Sequence, residues 1–385
     1  MLGGDKSSRT NSADVIIVGG GVIGLSIARE LRLRGVDDVV LLEKCELGKE
    51  ASWAAGGILA PQIEADCADG FFQLARASRD MYPALAAALR SETNIDVELN
   101  QTGTLYVGFT EEDEQPMRRR YEWQRREGLR VEWLTGDEAC KLEPNLSSDV
   151  QCALRFPDDW QVNNRKLVEA FVASNEKLGV RLMTNCEVTS ILVDGQEVTG
   201  VQSSAGSIYA RTAILAAGAW TSHIGTSEPS FRPVEIEPVR GQMLCFKTQQ
   251  QFARHVIYSS RGYLVPRRGG RILAGSTSER VGFEKRVTDE GMNSIKSMAF
   301  KIAPTLESFP IIDSWAGFRP RAKDDLPVLG ASEEIERLFY ATGHYRNGIL
   351  LAPITAEVIA DLIVGGVSST RIETFSPKRF CVAHA

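Results

Sequence analysis

The sequence is poor in histidine, in long apolar runs and in net charge, and each shortage argues against a class of protein. Its four histidines and seven scattered cysteines form no CxxC pair or other metal-ligand spacing, so we expect buried, reduced thiols and no metal site. The apolar run at residues 212–220 is too short to cross a bilayer, so no integral membrane association is expected. The net charge of −6 has both signs interspersed and offers no basic face for nucleic acid.

What remains is the composition of an ordinary globular protein. Hydrophobic residues make up 43% and charged residues 24% of 385 positions, a length sufficient for two domains. Residues 1–13 are polar and contain no apolar signal core, so they are predicted to be a disordered leader. These features favour a cytoplasmic protein and are compatible with a homo-oligomer.

The most informative segment lies close to the N-terminus. A strand pattern leads through Gly19, Gly21 and Gly24 into an amphipathic helix pattern, and Glu43 closes the next apolar run at 39–42. In a dinucleotide-binding βαβ unit the first glycine permits a tight turn, the second lets the backbone approach a pyrophosphate, and the third lets helix and strand pack closely. Amide groups at the helix start would face phosphates, and Glu43 would accept hydrogen bonds from an adenosine ribose. The segment predicts an ADP-containing cofactor.

Patterns further along the chain predict a mixed architecture. Helices are predicted at about 71–92, 111–128, 163–178 and 289–303, with a last helix ending near Val364. Strands are predicted at 103–109, 180–183, 187–193, 198–201, 207–210, 212–217, 243–246, 263–266, 272–275 and from 338. The strands between 231 and 315 suggest an antiparallel sheet. Because a strand, a glycine-rich turn and a helix recur near the C-terminus, two domains are predicted to interleave.

Two segments allow more than one interpretation. The small-residue stretch at 51–61 suits either close packing of backbone against a flat ligand or the start of a packed helix. The helix predicted at 111–128 contains five arginines, but acidic residues alternate with them, which favours a solvated face over a phosphate or RNA site.

Four blocks of the sequence together resemble one family. They are residues 19–24 with Glu43, 51–58, 317–320 with 326–330, and 343–353. From about residue 14 to 370 the chain resembles the D-amino-acid oxidase superfamily of flavoproteins, most closely its glycine oxidase branch, which serves thiamine biosynthesis.

The resemblance implies a fold of the α/β (α+β) class. A Rossmann-like FAD-binding domain (14–90, 150–230 and 316–370) would interleave with an antiparallel-sheet substrate-binding domain (91–149 and 231–315). Residues 371–385 would form a C-terminal tail.

The resemblance also implies how FAD is held. Residues near the N-terminus would contact the pyrophosphate and ribose, Val188 the adenine, 56–58 the isoalloxazine ring and 344–350 its pyrimidine end. The implied cofactor-binding residues are Gly19, Gly21, Val22, Ile23, Gly24, Glu43, Lys44, Ala51, Ser52, Gly56, Gly57, Ile58, Val188, Gly218, His344, Tyr345, Arg346, Asn347, Gly348, Ile349 and Leu350. In the sarcosine oxidase branch of the superfamily a cysteine attaches the flavin covalently. The segment 319–330 contains no cysteine, so the resemblance implies noncovalent FAD.

Three residues are implied on the substrate side. Arg319 matches a carboxylate-binding arginine, whose planar fork can make two parallel hydrogen bonds, although a surface arginine is the alternative. Tyr263 matches a tyrosine facing that carboxylate, or is an ordinary strand aromatic. Arg346 matches a second substrate-side arginine, or forms a salt bridge near the flavin. Gly262 and Ile58 depart from some relatives and leave the choice of glycine as substrate less firm than the family.

The implied reaction is oxidation of a small amino acid by dioxygen. Hydride would pass from Cα to flavin N5, and water would release a 2-oxo acid and ammonia while dioxygen yields hydrogen peroxide. No side-chain base is required if the amine is already neutral. This fits a pocket that is expected to offer no convincing His or Glu base. The alternatives are a dehydrogenase that passes electrons to a quinone or another carrier, and an oxidase of sarcosine or another secondary amine.

Overall fold

The computed structural model describes residues 11–228, 231 and 233–380. The helices are α1 Val22–Leu33, α2 Ala51–Ala54, α3 Pro61–Glu64, α4 Gly70–Thr93, α5 Glu111–Arg126, α6 Gly136–Leu142, α7 Asn164–Lys177, α8 Asp289–Ile302 and α9 Gly348–Gly365. The strands are β1 Ser12–Val18, β2 Val39–Leu42, β3 Ile58–Leu59, β4 Thr104–Gly108, β5 Glu132–Thr135, β6 Cys152–Phe156, β7 Trp160–Gln161, β8 Arg181–Met183, β9 Val188–Asp194, β10 Glu197–Ser203, β11 Gly206–Leu215, β12 Gly225–Thr226, β13 Ile236–Lys247, β14 Val256–Ser259, β15 Gly262–Arg267, β16 Arg271–Gly275, β17 Ile311–Ala322, β18 Val328–Ala331 and β19 Leu338–Thr342.

The first sheet combines segments from both ends of the chain. Its order is β12-β9-β10-β11-β1-β2-β8, with β19 also beside β11 and β18 beside β19. β1 is parallel to β2 and to β11, and β11 is parallel to β19. This parallel centre flanked by helices has the Rossmann-like arrangement expected from the sequence.

The second sheet is almost wholly antiparallel, as expected. Its order is β17-β13-β16-β15-β14-β4-β6-β5, and β14 and β4 form its parallel pair. Helix α8 covers one face, where Ile295, Met298 and Ile302 pack on Leu264 and Ile272. The sheet therefore has its own core.

Alternate side chains of β1 and β2 face two separate cores. Ile17 and Leu41 belong to the cluster that includes α1, α4 and α9, whereas Ile16 and Val40 belong to the cluster on the other face of the sheet. All four are fully buried. A strand buried on both faces requires a continuous apolar run, which explains the sequence pattern at these positions.

Helix α9 is more apolar than the sequence analysis recognised. Its 18 residues have a mean hydropathy of 1.8, so length and composition alone would let it cross a membrane. Glu357 and Asp361 interrupt its apolar run, which is why the expectation of short runs missed it. In the structure 61% of the helix is buried, and the Ser78 hydroxyl of α4 donates to the Leu350 carbonyl at 2.6 Å.

Two strands do not follow the predicted domain boundaries. β6 belongs to the second sheet, although the boundary at 149/150 assigns it to the FAD-binding domain. β17 crosses the boundary at 315/316, because it pairs with β13 as far as Ala322. The strands predicted at 207–210 and 212–217 are the single strand β11. The division into FAD-binding and substrate-binding domains stays a proposal.

The chain ends and the cysteines also differ in part from expectation. Ser12 already belongs to β1, while residues 1–10 of the predicted leader lie outside the described residues. Within the predicted tail, Phe375 is 1% exposed and packs into the core beside α9. The described cysteines are free thiols, but Cys45 and Cys67 are exposed, and Cys381 is outside the described residues.

Candidate active site

A cavity of about 290 Å³ is lined by both sheets. Val18, Leu42 and Ala341 reach it from the first sheet, and Met243 and Tyr263 from the second. The parallel strands β1 and β2 point their carboxyl ends toward it. Open α/β sheets bind ligands at this edge, so the cavity is the candidate site.

The glycine fingerprint forms one wall of the cavity. Gly19 has φ +111°, and a Cβ there would lie 2.4 Å from the Ala216 carbonyl oxygen. A Cβ on Gly24 would lie 2.0 Å from the Gly19 carbonyl oxygen, so Gly24 serves the close packing predicted for it and does not itself line the cavity. Gly21 is the N-cap of α1 and does line it.

The N-terminus of α1 faces the cavity beside α2. Val22 and Ile23 line the wall, and the Val22 amide donates to the Ser52 hydroxyl at 2.9 Å. Ala51 and Ser52 lie opposite on α2. Amide donors at the positive end of a helix dipole favour an anionic group such as a phosphate.

Glu43 is fixed at the end of β2 by the backbone. Its Oε2 accepts from the Gly20 amide at 2.8 Å and its Oε1 from the Cys45 amide at 3.0 Å, and the residue is 8% exposed. The neighbouring Lys44 places Nζ 3.4 Å from the ring centroid of Trp220. Val188 and Gly218 line the same cavity.

The small-residue segment that follows β2 begins with a short helix and then turns along the cavity wall. Residues 51–54 form the short helix α2, and Gly56, Gly57 and Ile58 then line the cavity. Gly57 has φ +66°, and a Cβ there would lie 2.2 Å from the Val162 carbonyl oxygen. The backbone at this turn therefore has no room for a side chain.

Arg319 and Tyr263 meet at a third residue, Ser276, that the sequence analysis did not select. Arg319 donates through Nη2 to the Ser276 hydroxyl at 2.6 Å and through Nη1 to the Thr277 carbonyl at 3.1 Å. The Tyr263 hydroxyl lies 3.3 Å from the same Ser276 oxygen. Among the described residues, no carboxylate lies within 4.0 Å of the Arg319 guanidinium, which suits a site for an acid group.

Arg346 forms an ion pair inside the cavity. Its Nη2 lies 3.2 Å from Oε1 of Glu64, and the Tyr258 hydroxyl is 3.5 Å from the same oxygen. Attraction to Glu64 raises the pKa of Arg346 above its ordinary value. The salt-bridge alternative is therefore what the structure contains.

The C-terminal block places a buried histidine and a helix start at the cavity. His344, Tyr345, Asn347, Gly348 and Ile349 line it, and Asn347 is the N-cap of α9. His344 Nε2 lies 3.0 Å from the Thr355 hydroxyl, and burial lowers its pKa to about 3. His344 is therefore neutral at physiological pH.

Leu350 is the other predicted contact that does not line the cavity. It is 1% exposed and belongs to the core between α4 and α9. Successive residues of a helix are rotated by about 100°, so Ile349 faces the cavity while Leu350 faces the core. Apart from Gly24 and Leu350, the structure brings all the predicted cofactor and substrate residues to one cavity.

Comparison with known proteins identifies the family. The family model described as FAD dependent oxidoreductase (DAO) matches residues 14–362, and the chain therefore belongs to this family of flavoproteins. The resemblance, the fold and FAD as cofactor are confirmed.

The relatives include glycine oxidases. The chain is 36% identical over 355 residues to a glycine oxidase of Pseudomonas aeruginosa, covering 92% of this chain and 95% of that protein. A crystal structure of glycine oxidase from Geobacillus kaustophilus matches with a TM-score of 0.91 at 34% identity, covering 95% of this chain and 98% of that chain. A bifunctional ThiO/ThiG protein of Trichormus variabilis is 36% identical over 380 residues, and the match spans 55% of that longer protein.

Proposed function

We propose that this protein catalyses FAD-dependent oxidative deamination of glycine or another small amino acid. The observation that carries the proposal is Arg319, whose guanidinium lines the cavity beside Tyr263 with no described carboxylate within 4.0 Å. A guanidinium held by a hydroxyl and a carbonyl oxygen retains its charge for a bound acid group. Similarity to the glycine oxidases supports glycine, and similarity to a ThiO/ThiG protein supports a role in thiamine biosynthesis.

The cavity has the chemistry that FAD requires. The amides at the α1 N-terminus suit the pyrophosphate, and the Glu43 carboxylate suits a ribose. Gly56 and Gly57 line the cavity without side chains, which suits a flat ring. When bound there, FAD supplies the acceptor for the hydride of the substrate Cα and is reoxidised by dioxygen, which gives hydrogen peroxide. We propose that these residues hold it without a covalent bond.

The protein's own contribution is to bind and orient the substrate. Arg319 and Tyr263 would hold the carboxylate, which fixes the amino acid at one end and excludes water from the acid group. Ser276 contacts both side chains and would hold Arg319 and Tyr263 in fixed positions relative to each other. Hydrolysis of the resulting imino acid gives a 2-oxo acid, which for glycine is glyoxylate, and ammonia.

Two titratable side chains of the cavity, His344 and Glu64, are already engaged by neighbouring groups. His344 is neutral at physiological pH, but its Nε2 is engaged by Thr355. Glu64 is paired with Arg346. The substrate amine would therefore react in its neutral form, with its nitrogen lone pair assisting departure of the hydride.

The test is a screen of the purified holoenzyme against glycine, sarcosine, D-alanine and D-proline. Flavin bleaching without oxygen and peroxide formation in air are measured together. We expect glycine to give both signals. Bleaching without peroxide would instead indicate a dehydrogenase that uses another acceptor, and no bleaching with any small amino acid would refute the proposal.

Cofactor attachment and the remaining partners have simple tests. Acid precipitation should release the yellow colour into the supernatant, and colour retained in the pellet would contradict noncovalent FAD. We propose a cytoplasmic location with a small amino acid and dioxygen as the partners, and size-exclusion chromatography measures whether the chain forms a homo-oligomer.

A further inference from the structure

Arg267 is a buried arginine with no acidic partner close to it. It ends β15 and is 8% exposed. Its Nη1 donates to Gln161 Oε1 at 2.5 Å, and its Nη2 donates to the Gly56 carbonyl oxygen at 2.6 Å and to Asn164 Oδ1 at 3.3 Å. All three acceptors are neutral, and among the described residues no carboxylate lies within 4.0 Å of this guanidinium.

The surroundings of Arg267 increase the cost of its charge. Burial lowers its pKa to about 10, so the group still carries its proton at neutral pH. Arg165 and Arg271 oppose the charge, while the acidic Glu98 is itself bound by Lys166 at 2.7 Å. Removing a cation from water is expensive unless an anion compensates it, so a protein that retains such a group gains something from the charge.

The charge lies directly behind the wall of the candidate site. Gly56 and Gly57 line the cavity, and Arg267 holds the carbonyl of Gly56 from the opposite side. A Cβ on Gly57 would lie 2.8 Å from Arg267 Nη2, so no side chain separates the guanidinium from this turn. A positive charge in a medium of low dielectric acts on neighbouring groups over such short separations far more strongly than in water.

We propose that Arg267 is a positioning residue that tunes the cofactor through its charge. This inference rests on the proposed function, in which the 56–58 turn contacts the flavin ring. Reduction of FAD by two electrons and one proton adds one negative charge to the ring, and the buried guanidinium stabilises that charge. Arg267 therefore favours the reduced cofactor, and with it the withdrawal of hydride from the substrate.

A charge-compensating variant tests this without removing the arginine. Gln161→Glu changes the amide that touches Nη1 into a carboxylate of nearly the same shape, and Gln161→Met is the matched control that loses the hydrogen bond without adding charge. The readouts on the FAD-loaded proteins are the two-electron midpoint potential and the dissociation constant of sulfite. Sulfite donates its sulfur electron pair to form a bond to N5 of oxidised flavin, and the adduct is anionic.

We expect Gln161→Glu to raise the sulfite dissociation constant about tenfold. The midpoint potential should fall by about 30 mV, which corresponds to a tenfold change in the equilibrium constant of a two-electron couple. Gln161→Met should stay within about twofold of the parent. Arg267→Met should repeat the effect of Gln161→Glu, and Arg267→Lys, which keeps the charge, should lie between Arg267→Met and the parent.

Several outcomes would overturn the inference. Unchanged potential and sulfite affinity in Gln161→Glu would overturn it, as would equal shifts in the Glu and Met variants, which would assign Arg267 to holding the turn alone. If Arg267→Met fails to fold, the two Gln161 variants still decide the question. If the parent protein takes up no FAD, the proposed function is refuted as well. If glycine reduces the bound FAD but the variants keep the parent's midpoint potential and sulfite affinity, only the role of Arg267 is refuted.

Discussion

Replacement of Arg319 tests the proposed substrate site most directly. The guanidinium packs on the backbone of β13, because a Cβ on Gly241 would lie 2.4 Å from its Nη atoms, and it is held by Ser276 and Thr277. Its position is thus fixed before a ligand arrives. Arg319→Met removes the charge and the fork while keeping an apolar stem of similar length.

The expected loss follows from the bonds removed. Hydrogen bonds to a charged group contribute about 1.5–3 kcal/mol each, so losing the pair should cost about 3 kcal/mol, or roughly 150-fold in affinity for a carboxylate. The KM for glycine should rise accordingly with a smaller change in kcat. Arg319→Lys keeps the charge without the planar fork and should lose roughly tenfold.

The assay combines kinetics with a binding measurement. Peroxide formation gives KM and kcat, and perturbation of the visible flavin spectrum by acetate gives the affinity for a carboxylate that cannot react. Arg280→Ala is the control, because its side chain is 64% exposed and does not line the cavity. A KM and an acetate affinity within threefold of the parent in Arg319→Met would refute the assignment.

Three further variants follow from the site. Glu64→Gln should free the Arg346 guanidinium and increase the affinity for malonate relative to acetate, measured by flavin spectral titration, and an unchanged ratio would contradict this. The folded-state pKa of His344 is about 3 against an ordinary 6.5, so the unfolded state binds more protons between these two values. The free energy of unfolding should therefore fall as the pH is lowered from 6.5. Urea unfolding of the apoprotein should show a smaller fall in His344→Gln than in the parent, and an equal fall would contradict this prediction. Gly57→Ala should lower the melting temperature more than Gly35→Ala. Both glycines have positive φ, but only a Cβ on Gly57 would meet a backbone oxygen, at 2.2 Å. Equal melting temperatures in the two variants would show that the contact at Gly57 relaxes.

Local patterns allowed the cavity wall that we propose holds the nucleotide to be predicted. Gly19, Gly21 and Gly24 are a few residues apart, and their requirements come from one turn and the helix that follows it. Glu43 ends the next strand of the same βαβ unit. Short-range geometry therefore determines this part of the site, and sequence alone reveals it.

The substrate end could be predicted only where a family block contained the residue. Arg319 lay in such a block, but Ser276 follows β16 and Glu64 ends α3, and only tertiary packing brings them to Arg319 and Arg346. The sequence did not predict strand β17, because its first residues do not alternate between apolar and polar. In the structure the adjacent Ile311 and Ile312 at its start are both exposed. Pairing with β13, a long-range interaction, forms this strand.

The first sheet is assembled from strands that are far apart in the chain, and this affects how the enzyme can be made. β1 begins at Ser12, whereas its neighbour β11 pairs with β19, which ends at Thr342. During synthesis on a ribosome the N-terminal unit must wait for β11, β19 and α9, so its apolar faces stay uncovered until these later elements have formed. Such non-local pairing slows folding, and because Ala341, His344 and Ile349 line the cavity, the candidate site is complete only after these late elements have joined the sheet.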